Sequence, residues 1–429
     1  MKSITKVILF TIISSMLLCG CSSDNNTAKS NSNDIHLYDY EQTPLQLGID
    51  TENPSDNINS DKLEYKPLNY SPQSAMWFTA NDYPDILLGK TEEEFTTTIK
   101  ERFSNAKSLG INTVYVHVRA FGDAYYNSEL FSEGLFMSPN CEYDPLDIMI
   151  STAHEMELSI HAWINPLRCQ SEIQMNEMDD SFTLKQWFSD DNKKEKYMSL
   201  VGDRWWLCPA YTEVREFIAK GAAEIVHNYN VDGINIDDYF YPTENTDFDA
   251  YAFKQSNSKN LSEFRKEQCS LMVSEIYDAI KSENPNVLFG ISPQGTLNGN
   301  DKQYSDVKKW CSQDGYCDYI VPQIYFGLKN ETAPFAETAA IWKEMTTDSN
   351  IQLVIGICTY KMGKEDIYAG NGKYEWQNDH SISSKEVKLV RDMKLGTALY
   401  SYDSTFCPTD ENADYMEKER SAIETLLLK

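Results

Sequence analysis

The sequence predicts an α/β fold, a (β/α)8 TIM barrel with extended βα loops, on three observations. Apolar, β-like runs alternate with helical patterns eight times. Several of these runs are apolar on one face and polar or aromatic on the other, which suits a barrel with side chains filling its interior. Polar residues recur at the ends of successive strands, where barrels of this kind carry their chemistry. An open doubly wound sheet is the competing architecture, and eight regular repeats favour closure.

The chain opens with Lys2 and Lys6 before an apolar run from Val7 to Leu18 and then Cys19-Gly20-Cys21. This is the pattern of an export signal. The run is shorter than the ~20 residues a membrane-spanning helix needs. Leu18-Cys19-Gly20-Cys21 resembles a bacterial lipobox, which implies cleavage before Cys21 and lipidation of its sulfur. Residues 1–20 are therefore expected to be a lipoprotein signal peptide. Residues 21–65 are rich in Ser, Asn, Asp and Thr, with few large aliphatics. Such a composition buries too little surface to offset ordering entropy, so a flexible stalk is expected. Residues 66–429, the remaining ~360, suit one barrel with insertions.

Strands are expected at 74–79, 113–119, 159–165, 231–237, 287–292, 318–323, 352–359 and 397–401. Helices are expected at 92–109, 145–157, 214–229, 261–282, 306–312, 335–346, 385–394 and 413–428. Thr91 with Glu94 makes a capping box for the first helix, and Gly110 marks its end. Two connections are too long for simple crossovers. One, 166–211, carries Trp187, Trp205 and Trp206; the other, 241–261, carries Tyr251 and Phe253. Both are read as walls of a groove at the barrel mouth.

A net charge of −28 argues against a nucleic-acid partner, which needs a basic patch. Of ten cysteines, Cys141, Cys169, Cys208, Cys269, Cys311, Cys317, Cys358 and Cys407 lie beyond the leader. No C-x-x-C occurs, so mostly free thiols are expected, with a Cys311–Cys317 pair left open. No His-rich spacing suggests a metal, and no cofactor is implied.

The most informative stretch is 231–242, Val-Asp-Gly-Ile-Asn-Ile-Asp-Asp-Tyr-Phe-Tyr-Pro. Ile234 and Ile236 alternate with Gly233, Asn235 and Asp237, and the strand stops at two carboxylates, Asp237 and Asp238. Parity elsewhere is similar. Val114, Val116 and Val118 oppose Tyr115, His117 and Arg119, while Ile160, Ala162 and Ile164 oppose His161, Trp163 and Asn165. In the seventh strand Leu353, Ile355 and Ile357 oppose Gly356, Cys358 and Tyr360. With the aliphatic faces toward the helices, the mouth receives Arg119, Asn165, Asp237, Gln294, Gln323, Tyr325, Tyr360 and Asp403.

These residues resemble the glycosyl-hydrolase-like ten family of bacterial barrels. The resemblance is carried by Val118-Arg119-Ala120-Phe121-Gly122-Asp123-Ala124-Tyr125-Tyr126, His161-Ala162-Trp163-Ile164-Asn165-Pro166 and the 231–242 stretch. It continues through Ile291-Ser292-Pro293-Gln294-Gly295, Tyr319-Ile320-Val321-Pro322-Gln323-Ile324-Tyr325, Ile355-Gly356 and Thr359-Tyr360-Lys361. It implies cleavage of glycosidic bonds in a polysaccharide, with peptidoglycan glycan strands a substrate linked to some members. One departure is Pro293-Gln294-Gly295, where members commonly carry Pro-Phe-Gly. The fourth strand also echoes the chitinase pattern D-x-x-D-x-D-x-E, with Asp232, Asn235, Asp237 and Tyr239 in the four places, so the terminal glutamate is missing.

Glycoside hydrolysis needs one carboxyl to protonate the leaving oxygen and a second group to stabilise, attack or activate water. Asp237 is the first candidate on parity, and Asp238 the second. Close carboxylates raise one another's pKa, which helps one stay protonated. Asp123 and Asp403 are alternative second carboxylates. Arg119 is expected to hold substrate or neutralise Asp123. Asn165, Gln294 and Gln323 offer amides to sugar hydroxyls. Trp77, Trp163, Tyr239, Tyr325 and Tyr360 offer rings to sugar C–H faces. His161 is inward, as support for the site or as a satisfied core imidazole. The expectation is a lipid-anchored, extracytoplasmic glycoside hydrolase of the bacterial envelope, attached to the membrane at Cys21. The alternative is a non-catalytic glycan-binding envelope lipoprotein.

Overall fold

A computed structural model describes residues 65–138, 141–237, 239–347 and 349–429. The expected leader, Cys21 and nearly all of the stalk lie outside these residues. Strands and helices alternate as β1 (Ser74–Phe78), α1 (Glu92–Ser108), β2 (Thr113–Arg119), α2 (Pro145–Glu155), β3 (Ser159–Ile164) and α3 (Thr212–Asn228). They continue as β4 (Gly233–Ile236), α4 (Leu261–Glu283), β5 (Leu288–Ile291), α5 (Val307–Trp310), β6 (Tyr319–Ile320) and α6 (Phe335–Thr346). The last are β7 (Gln352–Cys358), α7 (Ile382–Asp392), β8 (Gly396–Tyr400) and α8 (Ala413–Leu427). The eight parallel strands close into a barrel in the order β1-β8-β7-β6-β5-β4-β3-β2.

Local chemistry explains the boundaries. Thr91 and Glu94 form the reciprocal capping box at the start of α1. Past its end Gly110 takes φ +95°, and a Cβ there would also meet Leu427 at 2.7 Å. β6 shrinks to two residues because Pro322 has no N–H for the ladder, and Gln323 rejoins its neighbours through single bridges to Gln294 and Gly356.

Strand parity sorts two layers of packing. Val114, Val116, Val118, Ile160, Ala162, Ile164, Leu353, Ile355 and Ile357 lie in the core between strands and helices. A separate cluster of Ala75, Trp77, Tyr115, Trp163, Tyr319, Val321, Val354 and Ala398 fills the barrel. Gly233 and Gly290 make room in it, since a Cβ would fall 2.4 Å from the His161 ring and 1.9 Å from the Tyr319 ring. His161 is therefore a filler of the interior and not a substrate contact. It is fully buried, with Nδ1 on the Tyr319 hydroxyl at 2.7 Å and Nε2 on Ser159 Oγ at 3.1 Å. Burial pushes its pKa down to about 4.

Arg119 is also corrected. The β2–β3 register shifts between His117 and Arg119, and this bulge breaks the alternation. The guanidinium turns outward to α3, donating to the Gly221 carbonyl at 2.8 Å and to the Tyr126 hydroxyl, with its centre 3.8 Å from the Phe131 ring. It holds strand to helix and does not reach the mouth.

The opposite end of the barrel is closed by Asp232. It is fully buried and accepts from Leu68 N at 2.5 Å, Ile160 N at 2.7 Å and the Tyr65 hydroxyl, and it pairs with His154 Nε2 at 3.1 Å. The first place of the chitinase-like pattern is thus a clamp on the N-terminal face. Tyr65, expected in the stalk, belongs to the barrel. All eight cysteines beyond the leader are free thiols, Cys311 and Cys317 included. Among the described residues no helix is long and apolar enough to cross a membrane, and no group of His, Cys, Asp or Glu is arranged to hold a metal.

Glu386 on α7 is fully buried, and neither carboxyl oxygen has a hydrogen-bond partner among the described residues. Burial first, and the charge of Glu375 second, push it well above the usual carboxyl range. Its folded pKa therefore lies above the unfolded value of about 4.3, so over the window between them the fold keeps a proton that the unfolded chain has lost. Unfolding then releases a proton, so its contribution to stability is full at low pH and declines by about 1.4 kcal/mol per pH unit until the folded pKa is reached. Glu386→Gln removes that decline. In urea titrations the variant is expected to gain on the wild type as the pH rises above the unfolded value of about 4.3, with little difference at about pH 4. A constant offset would show that the glutamate is charged in the fold.

Candidate active site

The C-terminal strand ends gather two groups of side chains over one floor. Trp77, Trp163 and Tyr400 share the interior cluster that underlies both. Asp237 directly follows β4 and is 3 % exposed. Beneath it, on the same strand face, Asn235 donates to the Tyr319 hydroxyl at 3.2 Å and accepts from Ser292 Oγ at 3.1 Å. A hydrogen-bonded interior thus fixes the strand that presents the carboxylate. Asp238 lies outside the described residues.

The first group surrounds the ends of β2, β3 and β4. Trp163 stacks on His117 with centroids 3.6 Å apart and planes 9° apart, so one ring face is covered. His117 Nε2 is buried without a hydrogen-bond partner among the described residues. Burial, then the nearby Arg168 charge, push its pKa down to about 3, so the imidazole is neutral. Asn165 is buried and donates to the Ala120 carbonyl at 3.2 Å. Beyond Asp237, the ring of Tyr239 lies under the Arg168 guanidinium at 3.9 Å and 6.1 Å from Trp206.

The second group spans the ends of β5 to β8. Gln294 and Gln323 are bridged through their backbones, and Gln323 Nε2 donates to the Ser292 carbonyl at 3.0 Å. Tyr325 meets Tyr360 edge-on at 6.0 Å and Tyr400 at 5.5 Å. Lys361 Nζ braces this corner by donating to the Tyr325 carbonyl and to Asp366, each at 2.7 Å. Together the groups offer flat rings and amides around one buried carboxylate, an arrangement suited to sugar faces and hydroxyls.

Two other carboxylates stand apart. Asp123 is fully buried and accepts from Ala120 N at 3.0 Å and Phe121 N at 2.8 Å. It is a turn cap and not a substrate contact; short side chains do this wherever they follow a tight turn. Asp403 is exposed on the short helix Tyr402–Phe406.

The long connection after β3 folds into three short helices and a hairpin, Met198–Val201 with Arg204–Leu207, that pairs back onto residues 167–170. Of its tryptophans only Trp206 approaches Tyr239. Trp187 packs on Tyr197 and Phe217, and Trp205 on Phe188. The connection after β4 is fastened by Arg265 of α4. Fully buried, this residue binds Asp249 at 2.7 Å and donates to the carbonyls of Thr243 at 3.2 Å and Asn245 at 2.6 Å.

Sequence reasoning overlooked His117, Tyr400 and Arg168. For His117 the signal lies in strand parity, which puts it on the same face as Tyr115. Tyr400 ends the eighth strand and was equally visible. Arg168 sits just past the expected end of the third strand, where alternation no longer applies.

Comparison with known proteins gives a consistent answer. The sequence model described as Glycosyl hydrolase-like 10 matches residues 73–371. Glycosyl hydrolase DigH of Escherichia coli K12 is 30% identical over 348 residues, covering 75% of this chain and 76% of the relative. Glycosyl hydrolase YngK of Bacillus subtilis is 31% identical over 320 residues, covering 68% of this chain and 59% of that protein. Among solved structures, the glycoside hydrolase domain of PgaB (BpsB) from Bordetella bronchiseptica superposes with TM-score 0.55 at 10% identity, over 82% of this chain and 99% of that chain. At that identity the likeness speaks for the barrel fold alone.

Proposed function

The chain belongs to the glycosyl hydrolase-like 10 family and is a glycoside hydrolase, and on that premise we propose that it cleaves peptidoglycan glycan strands at the bacterial cell envelope. In this reading residues 1–20 are a lipoprotein signal peptide, 21–64 a stalk and 65–429 the catalytic body, Tyr65 being bound to the barrel. A diacyl anchor on Cys21 holds the enzyme outside the cytoplasm. The observation that carries the reading is Asp237, buried directly after β4 at the end of the barrel where neighbouring strand ends present both rings and amides.

Two carboxyl functions are needed. Asp237 is the first, acting at the glycosidic centre. The second is assigned to Asp238 on its place in the sequence, because Asp123 is sealed in a turn and Asp403 is on the surface. Neutral His117, the Asn165, Gln294 and Gln323 amides and the Trp163, Tyr239, Tyr325 and Tyr360 rings orient the sugars. Excluding water around the buried carboxylate strengthens each polar contact made there.

The test is reducing-end release from peptide-free peptidoglycan strands by the full chain in detergent, with products identified by mass spectrometry. New reducing ends are expected, and their sugar defines the cleaved bond. Binding of the strands without release, there and on chitin, would replace this reading with that of a glycan-binding lipoprotein.

A further inference from the structure

An arginine pair stands at the same mouth, and neither its chemistry nor its position is needed for the acid–base step. Arg168 follows β3 on a backbone that pairs with Trp206, and Arg204 belongs to the hairpin behind it. Both guanidinium groups stack on the Phe121 ring, Arg168 at 4.6 Å and Arg204 at 4.2 Å from its centre. Asp123 caps the Phe121 backbone N–H at 2.8 Å. Arg168 also covers Tyr239, two residues beyond Asp237, at 3.9 Å.

The pair is poorly neutralised. Arg204 has a 3.7 Å contact with Asp203, whose side chain is 72% exposed, and donates to the Cys169 carbonyl at 3.3 Å. Exposed pairs of that length contribute little. Arg168 has no carboxylate partner among the described residues, and its Nε is buried without any hydrogen bond. Burial first, and then the Arg168 charge, pull the Arg204 pKa below the ordinary arginine value. A protein of net charge −28 thus keeps two cations close together in its cleft, one of them without a carboxylate partner among the described residues. Stacking on rings holds a guanidinium in place and leaves its edge donors available.

We propose that Arg168, backed by Arg204, is an anion subsite that reads a carboxylate on the sugar next to the cleaved bond. A carboxylate is the planar anion that a single guanidinium edge binds through two parallel hydrogen bonds, between flat rings such as Phe121 and Tyr239. The inference rests on the hydrolase reading for the identity of the chain as a glycan, and adds that this glycan is acidic at one subsite. The carboxylate reaches the site either on an ether side arm, as in N-acetylmuramic acid, or on the ring, as in a uronic acid.

The experiment is equilibrium binding by tryptophan fluorescence, with the full chain carrying Asp237→Asn so that turnover does not interfere. The probes are peptide-free strands, the same strands with carboxyls converted to methylamides, and oligogalacturonate as competitor. Amidation is expected to weaken binding roughly 10- to 100-fold, the range for losing a charge-assisted hydrogen-bonded pair. Arg168→Gln should bring the ratio of the two affinities close to one, and Arg168→Lys should restore only part of it, since lysine keeps charge without the fork. Competition by oligogalacturonate would assign a ring carboxylate, and lack of it the ether arm. Equal wild-type affinity for native and amidated strands, or a ratio that survives Arg168→Gln, overturns the subsite. Reducing-end release by the enzyme with Asp237 intact is scored separately. Preference without release would fell the hydrolase reading and leave the subsite, and release without preference would do the reverse.

Discussion

Replacing Asp237 by asparagine is expected to lower glycan turnover by roughly 10³-fold or more without unfolding the protein. General acid–base participation contributes about 10²- to 10⁴-fold on its own, and loss of the charge facing an oxocarbenium-like centre adds to that. Asparagine has the shape of aspartate but neither its charge nor its proton, so the strand end keeps its packing. The interior beneath it is held independently, by Asn235, Tyr319 and Ser292. Thermal unfolding should therefore stay near that of the wild type while reducing-end release collapses. Asp403→Asn is the matched comparison, because this carboxylate is exposed on a short helix. It is expected to leave turnover within a few-fold. Turnover that survives in Asp237→Asn would move the chemistry to another carboxylate while keeping the enzyme class.

The barrel was legible because its signals are repetitive and local. Period-two alternation in β2, β3 and β7 separates aliphatic from polar faces, and a capping box and a left-handed glycine bracket α1. Strand parity brought Asp237, Asn165, Gln323 and Tyr325 to one end of the barrel, since each follows its strand closely. It failed where the backbone departs from alternation. A bulge after His117 sent Arg119 outward to Gly221, and no pattern in the residue types announces it. Parity also cannot say how deep an inward residue sits. His161 and Asn165 point the same way, yet His161 is sealed between Tyr319 and Ser159, a layer below the mouth. Asp232 and Asp237 are five residues apart and end on opposite faces of the barrel, one clamping Leu68 and the other at the mouth. Arg168 and Arg204 were invisible because they meet only when the hairpin folds back on the segment after β3.

Arg265→Met should be the most destabilising single change near the site, and it should slow the enzyme as well. The Arg265 and Asp249 side chains are both fully buried, 2.7 Å apart. Removing one member of such a pair typically costs about 3–5 kcal/mol, because the other charge is left without compensation. Arg265 also supports the connection that begins with Asp237. It donates to the Thr243 and Asn245 carbonyls and the Tyr304 hydroxyl, and lies 5.0 Å from the Tyr241 ring. Methionine fills the stem's volume but serves none of these acceptors. The segment bearing Tyr239 and Tyr241 then loses its anchor to α4, and turnover should fall even at temperatures where the variant is folded. Adding Asp249→Leu separates the two effects, since it removes the stranded charge but does not restore the donors. The double variant should recover part of the lost stability in urea titrations while its turnover stays low. Recovery of both together would mean that Arg265 serves only to neutralise Asp249, and that the Tyr239 segment is held by something else.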